Sequence, residues 1–151
     1  MVHQILAIDP GPTCSGVVHF RCFKKPLIEA RVLENNDLLL ALELAQYQSV
    51  AIEMIASYGM AVGKEVFETC VWIGRFIQAA KIPPVRYTRQ EVKLHLCGSP
   101  RAKDANVRQA LIDLLGPPGT KAKPGPTYGV RSHAWAALAV AVYDHHQRWK
   151  P

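Results

Sequence analysis

No stretch of this sequence is apolar for long enough to cross a bilayer; its leucines, valines, isoleucines and alanines come in clusters of four to eight. Met1–Ile8 carries no basic segment and no small-residue cleavage site, so a cytoplasmic protein with no membrane partner is expected. Paired cysteines are missing too. Cys14, Cys22, Cys70 and Cys97 are widely and irregularly spaced with no CxxC, which excludes a clustered zinc site and predicts four reduced, mostly buried thiols. Acid is scarce: 12 Asp and Glu stand against 18 Lys and Arg, a formal net charge of +6. With 49% hydrophobic and only 20% charged residues, the chain is not a disordered one, and 151 residues suffice for one core but not two. A single domain over residues 1–151 is expected.

The excess positive charge is unevenly placed. Leu27–Glu53 holds five acids (Glu29, Glu34, Asp37, Glu43 and Glu53) against Arg31 alone. Pro83–Arg131 holds nine bases against Glu91, Asp104 and Asp113. One-sided charge of this kind is the footprint of a phosphate-backbone binder, although a basic solvated surface would give the same count.

The periodicity orders the chain. His3–Ile8 reads as a strand ending in the turn Asp9-Pro10-Gly11-Pro12, Cys14–Phe20 as its hairpin partner, and Leu27–Leu33 as a third strand after Lys25-Pro26. Asn36 or Asp37 is expected to cap a helix running to about Gln46. Ser49–Glu53, apolar until its closing carboxylate, has the pattern of a central buried strand. Val62–Ala80 is a long helix apolar on more than one face, so one face should meet the sheet and another a second copy of the chain. Pro84–Tyr87 is a fifth strand. Thr88 with Glu91 forms a capping box for a helix over Arg89–Leu96. Lys103–Leu115 is a further helix, Gly116–Val130 a long loop of the functional or mobile sort, and Ser132 the expected cap of a last helix to about His146. Three antiparallel strands followed by right-handed crossovers make an α/β protein with a mixed five-stranded sheet flanked by helices, the ribonuclease-H-like order.

Asp9 and Glu53 close the first and fourth strands. If those strands are neighbours, both carboxylates emerge side by side and repel each other unless a cation lies between them. Mg²⁺ or Mn²⁺ is the natural occupant, with two ions per site in a two-metal phosphodiester hydrolysis. Taken singly, either residue could be an exposed strand end or a turn cap.

Several segments resemble the RuvC family of Holliday junction resolvases: ILAIDPGPTCSG (Ile5–Gly16), VAIE (Val50–Glu53), AKDANV (Ala102–Val107) and HAWAALAVAV (His133–Val142). The match runs through nearly the whole chain in order and is closest to compact bacteriophage members. It implies a ribonuclease-H-like fold and a metal-dependent endonuclease acting on four-way and related branched DNA, with Asp9, Glu53 and His133 as catalytic metal ligands. The family places an aspartate three residues after the His133 position; here Ala136 stands there, and the site is one oxygen ligand short. Asp144 cannot replace it, since eleven helical residues put it roughly 16 Å away. A natural three-ligand site is the reading taken; a weakened enzyme and a deliberately inactivated one remain open. An imidazole ligand favours Mn²⁺ relative to an all-oxygen site.

Phosphate contacts are expected from Arg89, Lys93, Arg101, Lys103, Arg108, Lys121, Lys123 and Arg131, with Lys64 and Tyr58 in the segment after Glu53; Tyr58 would stack on an opened base. Each also reads as an ordinary surface side chain. A junction with approximate two-fold symmetry suits a homodimer, with Phe67, Trp72 and Phe76 of the long helix as anchors. The alternatives are a junction-binding protein with weakened or lost catalysis, and an enzyme cutting RNA in hybrids.

Overall fold

The strand β1 (His3–Asp9) is apolar on both faces, with Ile5, Leu6, Ala7 and Ile8 all buried, and such a strand needs a neighbour on each edge and a layer on each side. Both are present. In a computed structural model that describes residues 3–22 and 25–149, the sheet runs β3-β2-β1-β4-β5. Residues 1, 2, 23, 24, 150 and 151, which the expected 1–151 domain includes, lie outside the described residues. β2 (Cys14–Cys22) and β3 (Pro26–Glu34) continue β1 as an antiparallel meander. β4 (Ser49–Met54) lies parallel to β1, and β5 (Val85–Thr88) parallel to β4. The helices are α1 (Asn35–Leu44), α2 (Lys64–Ala79), α3 (Arg89–Cys97), α4 (Asp104–Leu115) and α5 (Ala134–Arg148). None among the described residues is long and apolar enough to cross a membrane.

The two-residue period of the strands sorts the core into two layers. Leu6, Ile8, Val50 and Ile52 face α1 and α2, packing with Leu38, Leu42, Ile73 and Phe76. Ile5, Ala7 and Ala51 face the other way, onto the Ala137–Val142 stretch of α5 and onto Val92, Val107 and Leu111 of α3 and α4. α5 is short in bulk along this stretch, with Ala137, Ala139 and Ala141 interleaved among larger residues, which lets it lie close across the centre of the sheet.

Local signals decided some boundaries and failed at others. The Thr88–Glu91 capping box forms as expected: the Thr88 hydroxyl accepts from the Glu91 N–H at 3.3 Å, and the Glu91 carboxylate accepts from the Thr88 N–H at 2.7 Å. Neither Asn36 nor Asp37 caps α1, which begins at Asn35 after Glu34 with no side-chain cap. Asn35 instead turns its side chain back to the β1–β2 turn, donating to the Gly11 carbonyl at 2.9 Å and accepting from the Ser15 hydroxyl at 2.7 Å. Ser132 does not cap α5 either; it sits in the left-handed region at φ 47°, and His133 holds the N-cap position.

The cysteines are free, as expected, but not buried. Cys14 and Cys70 are exposed and Cys22 and Cys97 partly so, because Cys14 opens a strand at the sheet's end and Cys70 lies on the outer face of α2. The segment between α4 and α5 is tied down rather than loose. A Gly119–Pro124 bridge closes it into a small hairpin, the Gly125 N–H donates to Pro118 O at 2.8 Å, and the buried Thr127 hydroxyl donates to Gly116 O at 2.8 Å.

Candidate active site

Strand register places the two acids. β1 and β4 pair in parallel through Ile8↔Ile52, so Asp9 and Glu53 follow one step further along adjacent strands. They share the parity of Ala7 and Ala51 and therefore project onto the α5 face. Gly16 sits opposite Asp9 on β2, and a Cβ there would come within 2.4 Å of the His133 carbonyl oxygen. Only glycine lets the start of α5 approach this closely, and His133 is thereby brought over Asp9. Its Nδ1 lies 3.3 Å from Asp9 Oδ2. Gly11, in the turn after Asp9, is under the same constraint: an added Cβ would meet the Cys14 carbonyl oxygen at 2.3 Å.

Both acids are mostly buried, Asp9 at 8% exposure. Burial pushes the Asp9 carboxyl above its ordinary range, against the opposing pull of Arg89 and His133. Glu53 is pushed up to about 7, first by burial and then by the charge of Asp9. Two adjacent buried carboxylates, one of which raises the proton affinity of the other beside a concavity, are the pattern that marks a functional-site candidate.

The concavity beside them is a cleft of about 300 Å³. Glu53, Arg89, Lys93, Asp104, His133 and Ala136 are among its lining residues. Arg89 Nε lies 3.4 Å from Glu53 Oε1 and its Nη2 3.9 Å from Asp104 Oδ1, while Lys93 Nζ is 3.4 Å from Asp104 Oδ1. Trp135 forms part of the wall, and the Arg108 guanidinium lies over its ring at 5.0 Å.

Of the residues singled out from the sequence, Asp9, Glu53 and His133 converge, joined by Arg89 and Lys93. Arg101 and Lys103 are exposed just before α4, and Lys121 and Lys123 are exposed on the hairpin. Arg131 lines a separate depression against Ala30, Arg31 and Val32 of β3 and is not in the cleft lining. Tyr58 and Lys64 are exposed and do not line the cleft. Phe76 is a correction: it is wholly buried against the sheet and has nothing to offer a partner. Trp72 is half-buried under Arg75, and Phe67, 61% exposed, is joined by Val71 on the outer face of α2.

Asp104 was missed. In the sequence it counts only as a charge opposing the bases, and its place in the cleft comes from the packing of α4 beside α3. Asn35 and Ser15, which hold the turn after Asp9, were missed for the same reason: their partners lie 24 and 20 residues away.

Among the described residues no group of three or more His, Cys, Asp or Glu side chains is drawn together closely enough to hold a metal ion. The donor set nonetheless fits one. Asp9 and Glu53 are adjacent buried carboxylates short of positive charge, His133 offers a nitrogen beside Asp9, and the position of Ala136 leaves open space in the cleft wall. The Arg89 guanidinium lies against Glu53, with Nε 3.4 Å from Oε1.

No protein-family model and no curated protein matches the sequence. Solved structures do. Thermus thermophilus RuvC superposes with a TM-score of 0.68 at 22% identity, covering 98% of this chain and 96% of that one. T. thermophilus RuvC in complex with Holliday junction substrate gives 0.67 at 23%, covering 94% and 91%. The chain therefore has the RuvC-like, ribonuclease-H-like fold, with three antiparallel strands followed by parallel ones and helices on both faces of the sheet.

Proposed function

We propose that this protein is a structure-selective endonuclease that hydrolyses phosphodiesters in four-way and related branched DNA with the help of Mg²⁺ or Mn²⁺. One observation carries the reading: Asp9 and Glu53, far apart in sequence, are buried together at the end of adjacent parallel strands beside a cleft that carries Arg89 and Lys93. The similar T. thermophilus RuvC, solved with a Holliday junction substrate, supports the choice of DNA substrate.

Asp9, Glu53 and His133 would hold the first ion. Asp9 is also the carboxylate available to a second ion, since Ala136 supplies none. When bound, divalent cations polarise the scissile phosphate and lower the pKa of water. The chain's own residues do the rest. Asp9 and Glu53 contribute the negative charge that would fix the cation position, and His133 adds a nitrogen donor beside Asp9. Lys93, Arg101, Lys103, Arg108, Lys121, Lys123 and Arg131 supply positive charge along the backbone path. Tyr58, in the exposed segment after β4, and Lys64, at the start of α2, would meet the junction centre.

A second copy of the chain would cover the outer face of α2 through Phe67 and Val71, with Trp72 at the rim. Phe67→Arg should shift a sedimenting dimer towards monomer; a wild-type chain that is already monomeric at micromolar concentration sinks the dimer.

The test is cleavage of a labelled four-way junction with Mg²⁺ or Mn²⁺. Asp9→Asn should lower the rate by at least ~10³-fold, as expected when a group acting mainly in the transition state is lost. Ala136 favours a second reading, a junction-binding protein whose catalysis is weakened or lost. Tight junction binding without divalent-dependent cutting by the wild-type chain would establish that reading instead.

A further inference from the structure

We propose that Arg89 is the resident counter-cation of Glu53, and that a divalent ion enters by displacing its guanidinium towards Asp104. The inference rests on the reading of Asp9 and Glu53 as ligands of that ion.

The placement of Arg89 is set by backbone, not chance. β5 pairs with β4 through Glu53↔Tyr87 and Met54↔Thr88, so the chain leaves the sheet beside Glu53, and the Thr88–Glu91 capping box fixes the turn that begins α3. Arg89 is the first residue of that helix. Its guanidinium bridges two acids of opposite character: Glu53, with a side chain 15% exposed, at 3.4 Å, and Asp104, at 77%, at 3.9 Å. One end of the bridge is inside the protein and the other is in solvent.

Neither contact is a locked hydrogen bond. Charge-assisted N–H···O bonds run at about 2.7–2.9 Å, and both separations are well beyond that. The guanidinium is held by charge, and its side chain is 47% exposed, so a short swing outward is sterically open.

A divalent cation at the Glu53 oxygens and a guanidinium contacting the same carboxylate repel each other across a few ångströms. Ion entry therefore forces Arg89 off Glu53. Asp104 is already within 4 Å of it and already holds Lys93, which makes no ion pair with Glu53 among the described residues. The displaced guanidinium thus keeps a partner.

The test is calorimetric titration of Mn²⁺ into the full chain without DNA, alongside thermal melts in EDTA. Arg89→Gln should bind Mn²⁺ about tenfold more tightly than wild type, melt lower in EDTA, and recover more on adding Mn²⁺. Lys93→Gln removes the same charge one turn away and should change Mn²⁺ affinity by less than about twofold, since it frees no ligand. Should Arg89→Gln fail to fold in EDTA, Asp104→Asn supplies the second arm: it should weaken Mn²⁺ binding several-fold by removing the landing partner of the guanidinium. Unchanged or weaker Mn²⁺ binding in Arg89→Gln overturns the proposal, as does an equal gain in Lys93→Gln or unaltered binding in Asp104→Asn. These readouts are separate from junction cleavage: a wild-type chain that exchanges Arg89 for Mn²⁺ but cuts nothing would sink the nuclease and leave the exchange standing.

Discussion

α5 has a buried carboxylate site at each end, and the two are built on opposite principles. Near its C-terminal end Asp144 is entirely buried and fully served: it accepts from the Ser49 hydroxyl at 2.7 Å, the Tyr87 hydroxyl at 2.6 Å and Arg148 Nε at 2.8 Å. At the N-terminal end Asp9 and Glu53 are nearly as deep but served only by contacts of 3.3 Å or more, from His133 and Arg89, and the charge of Asp9 raises the cost of ionising Glu53. Burial alone does not mark a site. A buried acid whose hydrogen bonds are complete staples the fold, whereas a buried acid pair left short of positive charge is poised to take up a cation.

The sharpest way to break this contrast is to remove an acid from each end. Asp144→Ala leaves two hydroxyls and a guanidinium without their acceptor and should cost about 3 kcal/mol, near 10 °C in melting temperature for a chain of this size. Junction cleavage per folded molecule should be nearly unchanged. Glu53→Gln should do the reverse, abolishing cleavage while raising the melting temperature in EDTA. If both substitutions destabilise alike, the two ends are equivalent and the contrast fails.

Dependence on pH should separate the ends next. Glu53 has a folded-state pKa of about 7, above its ordinary 4.5, so the folded chain holds a proton there that the unfolded chain has lost. Its contribution to stability is fully present below about pH 4.5 and disappears as pH rises through 7. In EDTA, stability should fall by about 2 kcal/mol between pH 5 and 7. Asp9, also raised, adds in the same direction. Equilibrium denaturation across that range should show the slope in wild type and a much flatter line in Glu53→Gln; an unchanged slope in the variant assigns it to other groups.

The smallest expected effect concerns the gap in the cleft wall. Ala136→Asp puts a third carboxylate one helical turn beyond His133 on the same face, and should tighten Mn²⁺ binding about tenfold while lowering the melting temperature in EDTA. A variant that binds Mn²⁺ no better would place position 136 outside the ion's reach.

The sequence made the strands, the capping box and the two strand-end acids legible, because each is written in residues a few positions apart: Thr88 with Glu91, and the apolar runs of His3–Ile8 and Ser49–Ile52 closed by Asp9 and Glu53. It misplaced what depends on distant partners. Asn35 resembles a cap candidate's neighbour until Gly11 and Ser15 claim its side chain. Phe76 is one of several apolar residues of a two-sided helix, and only the sheet beneath decides that it faces inward.

The sequence by itself determined which chemistry the chain can carry: two strand-end carboxylates, a histidine ahead of the last helix, an alanine where another acid would stand, and a run of basic residues. Tertiary structure alone decided how those charges are paired. Parallel register sets Asp9 beside Glu53, the close approach at Gly16 sets His133 above Asp9, and the exit of β5 sets Arg89 on Glu53. Electrostatic energy depends on separation and burial, and neither of these is a property of positions along a chain.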